Sequence, residues 1–365
     1  MSTNNEKPTL KLSPFADYVI ECDLRLFGSN EKPLKRSRLI NQIIVNYCDD
    51  SDIVRRASDV VTENELKTLF RRMNITLTKS QLISFRDSAQ ISQEKYTYPS
   101  ESVETRIALS QEALNKLDRY SEDISYAALR NIFRQGDSFS AAHFISALVE
   151  EYAALPMYRR EAIFYADIMN KAAEAIRRNN DGETCYLFID TPKSDIKVKI
   201  YPVKILLDEW STYNYLIGIG IYDPEKGETP MCMRMSNINK ADIVTSDNIL
   251  VYHNQQMIDE LYRRIKSRGI MFIGSPCYEG EVIRIRLTKN GFDLYSSIVF
   301  MRPRYDLIEQ LGNGDYIMTF SCTQWQVFNY FKRMGSDVEA LEPVQLREKF
   351  AGFYRSANEL YNDYP

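Results

Sequence analysis

Near Thr184 the spacing of apolar residues changes from the helical period to the strand period. Upstream, Ile145, Leu148, Val149 and Tyr152 recur at helical spacing between Ala141 and Leu155. A second helix, Arg159 to Arg178, carries Ile163, Ala166, Met169, Ala172, Ala173 and Ile176 on one stripe. Downstream, Thr184 to Asp190, Ile196 to Ile200, Tyr213 to Tyr222 and Met231 to Met235 read as short strands. Asp223-Pro224-Glu225-Lys226-Gly227 is a turn between two of them. Short strands with close turns predict a small barrel or sandwich. A helical half followed by a β-rich half, in 365 residues, makes this an α+β, multidomain chain.

Residues 1–95 form an N-terminal, mostly helical region. Tyr18 to Leu26 alternates like a strand, and the basic loop Lys32 to Arg38 follows. Ser37 is placed to cap a helix from Arg38 to Tyr47 whose Leu39, Ile43 and Ile44 share one face. Further helices are expected at Val54 to Val61, at Asn64 to Arg72 behind a Thr62 cap, and at Thr78 to Ser88. Gln90 to Ser100 reads as a linker. Within 96–156, Glu104 to Leu109 alternates like a strand, and Ser110 caps a helix bearing Leu114 and Leu117. Ser140 then caps the helix that starts at Ala141. A connector helix spans 157–180, the strands occupy 181–250, and 251–365 is an α+β extension. In that extension Lys289-Asn290-Gly291 reads as a turn. Helices are expected at Asn254 to Arg268, Thr323 to Met334 and Val344 to Tyr361, and strands at Val282 to Leu287, Asp315 to Phe320 and Asp337 to Leu341. No internal repeat stands out.

Charge and motif content narrow the function. The net charge of −4 argues against a surface that coats nucleic acid throughout, but leaves room for a local basic face. The six cysteines form no C-x-x-C pair and read as reduced thiols. Met1 to Lys11 lacks the apolar run of a secretory signal, and no segment has the length of a membrane span, so a cytoplasmic protein without membrane contact is expected. His143 and His253 each stand alone, and there is no G-x-S-x-G, P-loop or G-x-G-x-x-G. The expectation is a non-enzymatic protein with neither metal nor cofactor.

The strand Arg106-Ile-Ala-Leu-Ser110 and its two helices resemble the ribbon-helix-helix fold of small bacterial repressors. The resemblance implies that two chains pair these strands, with Glu104, Arg106 and Ala108 facing outward and Ser140 heading a helix whose N–H groups suit a phosphate. Ser121 to Phe139 is longer than the inter-helix turn of that family.

Tyr201-Pro202-Val203-Lys204-Ile205, Tyr213-Asn214-Tyr215-Leu216-Ile217-Gly218 and Met233-Arg234-Met235-Ser236-Asn237-Ile238 look like the three blocks of a WYL domain. Asn214 replaces the tryptophan of the signature, and Ser236-Asn237 replaces an acidic-basic pair. The resemblance implies an Sm-like five-stranded β-barrel that binds nucleic acid or small ligands. Arg234 suits a phosphate or a base, and Lys197 and Lys199 share one face of their strand. Tyr213, Tyr215 and Asn237 complete the candidate surface. Tyr215 reads equally well as a core residue, and Arg234 as a partner in an internal ion pair. The tail resembles the C-terminal α+β dimerisation domain that follows WYL domains.

Together these parts resemble the WYL-domain accessory proteins of type VI-D CRISPR systems. That resemblance implies a homodimer that binds single-stranded RNA and enhances a CRISPR RNA-guided ribonuclease effector. The alternative is a ribbon-helix-helix transcriptional regulator of duplex DNA with a ligand-sensing WYL domain. A scaffold that only bridges proteins is the third reading.

Overall fold

The computed structural model describes residues 7–28, 33–59, 78, 80, 96–123, 126–136, 138–191, 194–208, 211–221, 227–245, 255–273 and 282–362. The helix expected at Asn64 to Arg72, its Thr62 cap and His253 lie outside the described residues, as do most of Thr78 to Ser88 and of the turn before Gly227. The chain divides into two compact units, with the boundary between Ala166 and Asp167.

The first unit takes in both the expected N-terminal region and the strand-helix-helix segment. Strand β1 (Thr9–Leu12) leads into α1 (Pro14–Phe27), α2 (Arg36–Tyr47) and α3 (Asp52–Asp59). Strand β2 (Val103–Arg106) leads into α4 (Gln111–Glu122), α5 (Ala127–Ile132), the hairpin β3 (Arg134–Gln135) and β4 (Ser138–Phe139), then α6 (Ala141–Ala153) and α7 (Met157–Phe164). The strand expected at Tyr18 to Leu26 is thus helical. Ser13 caps it by accepting from the Ala16 N–H, Pro14 occupies the first turn, and Ala16, Val19, Ile20 and Phe27 are buried at helical spacing.

These elements contain a repeat that the sequence reading missed. Leu10-Lys-Leu12-Ser13-Pro-Phe-Ala16, with Ile20 beyond, matches Ile107-Ala-Leu109-Ser110-Gln-Glu-Ala113, with Leu117 beyond. Ser13 Oγ accepts from the Ala16 N–H at 3.1 Å, and Ser110 Oγ from the Ala113 N–H at 3.2 Å. β1 and β2 pair antiparallel about Thr9 and Arg106, with the Ile107 N–H bonded to the Pro8 carbonyl. The second helices repeat the pattern. The Ala108 and Lys11 N–H groups donate to Ser37 Oγ on α2 and Ser146 Oγ on α6, each at 3.1 Å. The Ser110 N–H donates to Asn41 on α2, and the Ser13 N–H to Glu150 on α6.

Three expectations are corrected by this arrangement. The ribbon strand finds its partner inside the chain, where a second chain was expected. It also ends at Arg106, because Ile107 to Ser110 leave the ribbon to dock on α2. Ser37 does not cap α2, whose N-cap is Lys35, because its hydroxyl serves Ala108. The long Ser121 to Phe139 segment is filled by α5 and the hairpin. A buried ion pair ties the unit together: Asp23 on α1 accepts from Arg160 Nε at 2.9 Å and from the Tyr152 hydroxyl at 2.8 Å.

The second unit begins along α8 (Ala166–Asn180). The single helix expected from Arg159 to Arg178 is two helices, because the backbone leaves helical geometry at Tyr165. Strands β5 (Cys185–Thr191), β6 (Ser194–Asp208), β7 (Tyr213–Ile221), β8 (Thr229–Arg234) and β9 (Lys240–Thr245) form an antiparallel sheet in the order β8-β7-β6-β5-β9. The expected closed barrel is not seen: among the described residues β8 and β9 are edges, not neighbours. Strand β6 runs far past Ile200. It absorbs Pro202, which has no N–H to give the ladder, at a register shift between Pro202 and Lys204. Gly218 lies opposite Pro202, and a Cβ there would stand 2.2 Å from the Tyr201 carbonyl oxygen. Helix α9 (Gln255–Arg268) packs Leu261 on Ile217, with Ile273 beside it.

The remainder follows a β-α-β-β-α-β order: β10 (Ile283–Leu287), α10 (Lys289–Ser297), β11 (Leu307–Gln310), β12 (Tyr316–Phe320), α11 (Gln324–Phe331) and β13 (Val338–Glu342), then α12 (Val344–Asn362). Its sheet order is β11-β12-β10-β13. Lys289 to Gly291, expected as a turn, is the first turn of α10, because Thr288 Oγ accepts from the Gly291 N–H at 3.1 Å. Ile283, Ile285, Leu287, Met318, Phe320 and Phe331 form the core of this part.

Candidate nucleic-acid interface

Alternation along β7 puts Tyr213, Tyr215, Ile217, Ile219 and Ile221 on one face. Arg234 stands opposite Tyr215 and Lys199 opposite Ile221, so both cations share that face. Each is laid over an aromatic ring. The Arg234 guanidinium carbon is 3.1 Å from the Tyr213 ring centroid, and Lys199 Nζ is 4.0 Å from that of Tyr186. Contacts this close have the geometry of cation–π pairs, worth about 0.5–2 kcal/mol each. Arg234 therefore takes a third course beside phosphate contact and an internal ion pair: it stacks on Tyr213.

The two pairs sit toward opposite ends of β7. Between them Ile217 is covered by Leu261 and Ile273. Tyr215 is only 5% exposed, which settles it as a core residue, with Ser211 Oγ 3.5 Å from its hydroxyl. Burial, opposed by the Ser211 hydrogen bond, holds its phenol above the usual value. Tyr186 is 2% exposed, and burial, with Glu228 and Tyr201 nearby, raises its phenol to about 12. Its hydroxyl is buried and meets no hydrogen-bond partner among the described residues. Asn237 is exposed in the short turn after β8. Lys197 lies two positions before Lys199 in β6, on the same face of the strand, and its side chain is outside the described residues.

Arg106 and Ser140 belong to the first unit. Arg106 is exposed at the end of the ribbon, opposite Thr9. One step along, Lys11 pairs with Glu104 at 3.6 Å, so part of the ribbon's outer face is neutralised. Ser140 caps α6 by accepting from the His143 N–H at 3.4 Å. Tyr98 stacks on His143, with ring centroids 4.3 Å apart, so an aromatic side chain crowds this helix start. Tyr98 fell in the expected linker, and its aromatic neighbour Tyr96 was the one signal there.

Two basic features are spent internally. Arg263 and Arg264 both pair with Glu260, at 2.6 Å each. On the open face of the β10–β13 sheet Arg284 pairs with Glu342 and Arg286 with Glu339. A sheet of this topology can stack bases on aromatic residues of its two central strands, but here those positions hold Arg284, Arg286, Ile317 and Thr319. Among the described residues no three His, Cys, Asp or Glu side chains gather as a metal site requires, and no helix is long and apolar enough to cross a membrane.

No protein-family model matches the chain, and no curated protein matches it. A solved structure, "Crystal structure of a CRISPR Cas-related protein", is similar over 99% of this chain and 95% of that one, at a TM-score of 0.72 and 18% sequence identity. That likeness shows the fold. "Proteasome accessory factor B/C (PafBC) of Arthrobacter aurescens" aligns with 71% of this chain and 37% of its own, at a TM-score of 0.28 and 14% identity.

Proposed function

We propose that this protein is a non-enzymatic, homodimeric, single-stranded RNA-binding accessory protein of a CRISPR RNA-guided ribonuclease, built from a ribbon-helix-helix unit, a WYL domain and a C-terminal extension. The observation that carries the reading is the likeness, along nearly the whole chain, to a structure described as CRISPR Cas-related. It joins the sequence resemblance of the Tyr213-Asn214-Tyr215-Leu216 strand. Arg234 on Tyr213 supplies charge beside an aromatic ring, the combination that holds single strands without sequence preference, and Lys199 adds a second cation on that face. Asn237 is exposed in the turn that follows Arg234. Dimerisation is supported by α12. Leu346, Phe350, Phe353, Ala357 and Leu360 follow a heptad seam whose first two members are buried, while Phe353 is 41% and Leu360 71% exposed.

The test is a salt titration of single-stranded RNA binding with Arg234→Ala. Loss of one phosphate contact flattens the log–log salt slope by about 0.7 and weakens binding across many sequences. Unchanged binding removes Arg234 from the interface.

A second reading, a regulator of duplex DNA, is favoured by the exposed Arg106 at the end of a ribbon completed within the chain. It requires Arg106→Ala to abolish operator binding while leaving single-stranded RNA binding intact.

A further inference from the structure

The two copies of the strand-helix-helix unit provide an internal control on what the fold requires. Asn41 on α2 and Glu150 on α6 occupy equivalent places, each accepting the backbone N–H of the serine that caps the first helix. A neutral amide serves in one copy, so the fold does not demand the carboxylate of the other. The residues that follow them also differ, Gln42 in one copy and Glu151 in the other. At the start of the second helix, Leu34 in the first copy corresponds to His143 in the second.

These departures meet in one place. A cavity of about 250 Å³ is lined by Tyr96, Tyr98, His143, Glu150 and Glu151, with Lys11 beside it. Its aromatic wall is ordered: Tyr98 stacks on His143, His143 meets Phe133 edge-on at 5.2 Å, and the His143 ring hydrogen-bonds the Tyr96 carbonyl. Its acidic side is held in place. Glu150 accepts from the Ser13 N–H and hydroxyl, and Glu151 from the Tyr47 hydroxyl and the Asp52 and Ile53 N–H groups. Asp52 also lines the cavity, its charge taken up by Arg55 at 2.7 Å. The one lysine, Lys11, is paired with Glu104 and lies 5.6 Å from the Tyr98 ring centroid, so a cation already borders this ring.

We infer that this cavity binds an organic cation, a guanidinium or primary ammonium group on a short aliphatic stem. Aromatic faces attract such a charge, and fixed carboxylates accept its N–H groups. The volume lies just under the range of about 300–1,000 Å³ for drug-sized ligands, which suits a group of a few heavy atoms. A polyanion is disfavoured by Glu150 and Glu151, with the bordering Lys11 neutralised by Glu104. The group can come from a free amine or from an arginine or lysine side chain of a protein partner. The site stands apart from the RNA reading and does not rest on it.

The test is calorimetric titration of the full-length protein with butylguanidinium and with butylurea, its neutral isostere. Butylguanidinium binds saturably and butylurea does not. Glu150→Gln keeps an acceptor for Ser13, as Asn41 does for Ser110, and weakens binding at least about tenfold while the far-ultraviolet circular dichroism is unchanged. Tyr98→Leu weakens it as well. A blocked Ala-Arg-Ala peptide separates the sources: tighter binding than butylguanidinium marks a protein side chain, and weaker binding a free amine. Equal binding of butylurea, absence of butylguanidinium binding, or an unchanged Glu150→Gln variant overturns the inference.

Discussion

Thr9 and Arg106 face each other as the last pair of the two-stranded ribbon, and the repeated residues that follow each of them, from Leu10 and from Ile107, run in opposite directions. The ribbon of this chain is therefore complete without a second copy. Whatever dimer the chain forms, the core beneath Leu10 and Ile107 is closed by its own second strand.

Asn41 is the hinge of that closure. It accepts from the Ser110 N–H and donates to the Ala108 carbonyl at 3.0 Å. Asn41→Ala is expected to remove both bonds from these exposed groups and to lower the stability of the first unit by about 0.5–1.5 kcal/mol, read by chemical denaturation. Because the pairing is intramolecular, the midpoint of that transition stays constant over a hundredfold range of protein concentration.

Gly218 allows β6 and β7 to approach at Pro202. A methyl group there meets the Tyr201 carbonyl oxygen, an atom of the backbone that cannot swing aside. Gly218→Ala is expected to destabilise the sheet by about 1–3 kcal/mol or more, seen as a lowered Tm.

Arg234 and Tyr213 are coupled by stacking. A double-mutant cycle with Arg234→Ala and Tyr213→Leu should give a coupling of about 0.5–2 kcal/mol in unfolding free energy. Coupling below the error of the measurement means that the stack adds nothing to stability.

Tyr186 and Tyr201 give the second unit an alkaline limit. Burial raises both phenols from the ordinary 10.0 to about 12. An acid whose folded value is raised binds its proton more tightly when folded. The stability it lends is complete below about pH 10 and is lost as pH climbs toward 12. Tyrosinate absorbance should rise together with loss of sheet circular dichroism in that window, and Tyr186→Phe should move the transition upward. Tyrosinate appearing near pH 10 with the sheet intact contradicts this.

Much of the fold was legible along the chain, for reasons visible in single elements. The period switch near Thr184 located β5, β7 and β8 within a residue or two, because alternating burial writes itself into local sequence. Ser110, Ser140 and Thr323 were readable as helix starts because a cap is a local hydrogen bond. Tyr18 to Leu26 was misread because Val19 and Ile20 suit either structure, and the cap that decides between them lies upstream at Ser13.

For the site, sequence alone put Arg234 on the strand adjoining the one that carries Tyr213 and Tyr215, since strand order follows from the spacing of turns. It could not choose between phosphate, carboxylate and ring as the partner of Arg234, because that depends on which neighbour the register brings alongside. It likewise could not reveal that β2 pairs with β1. The two strands lie far apart in the chain, and nothing local records which edge a hydrogen-bonding ladder will find. The amino-acid sequence determined the helices, the strands and the candidate cations. Only the tertiary structure decided that the ribbon closes on itself, that Tyr215 is core, and that carboxylates and aromatic rings meet beside Ser13, because each outcome depends on contacts between segments remote in sequence.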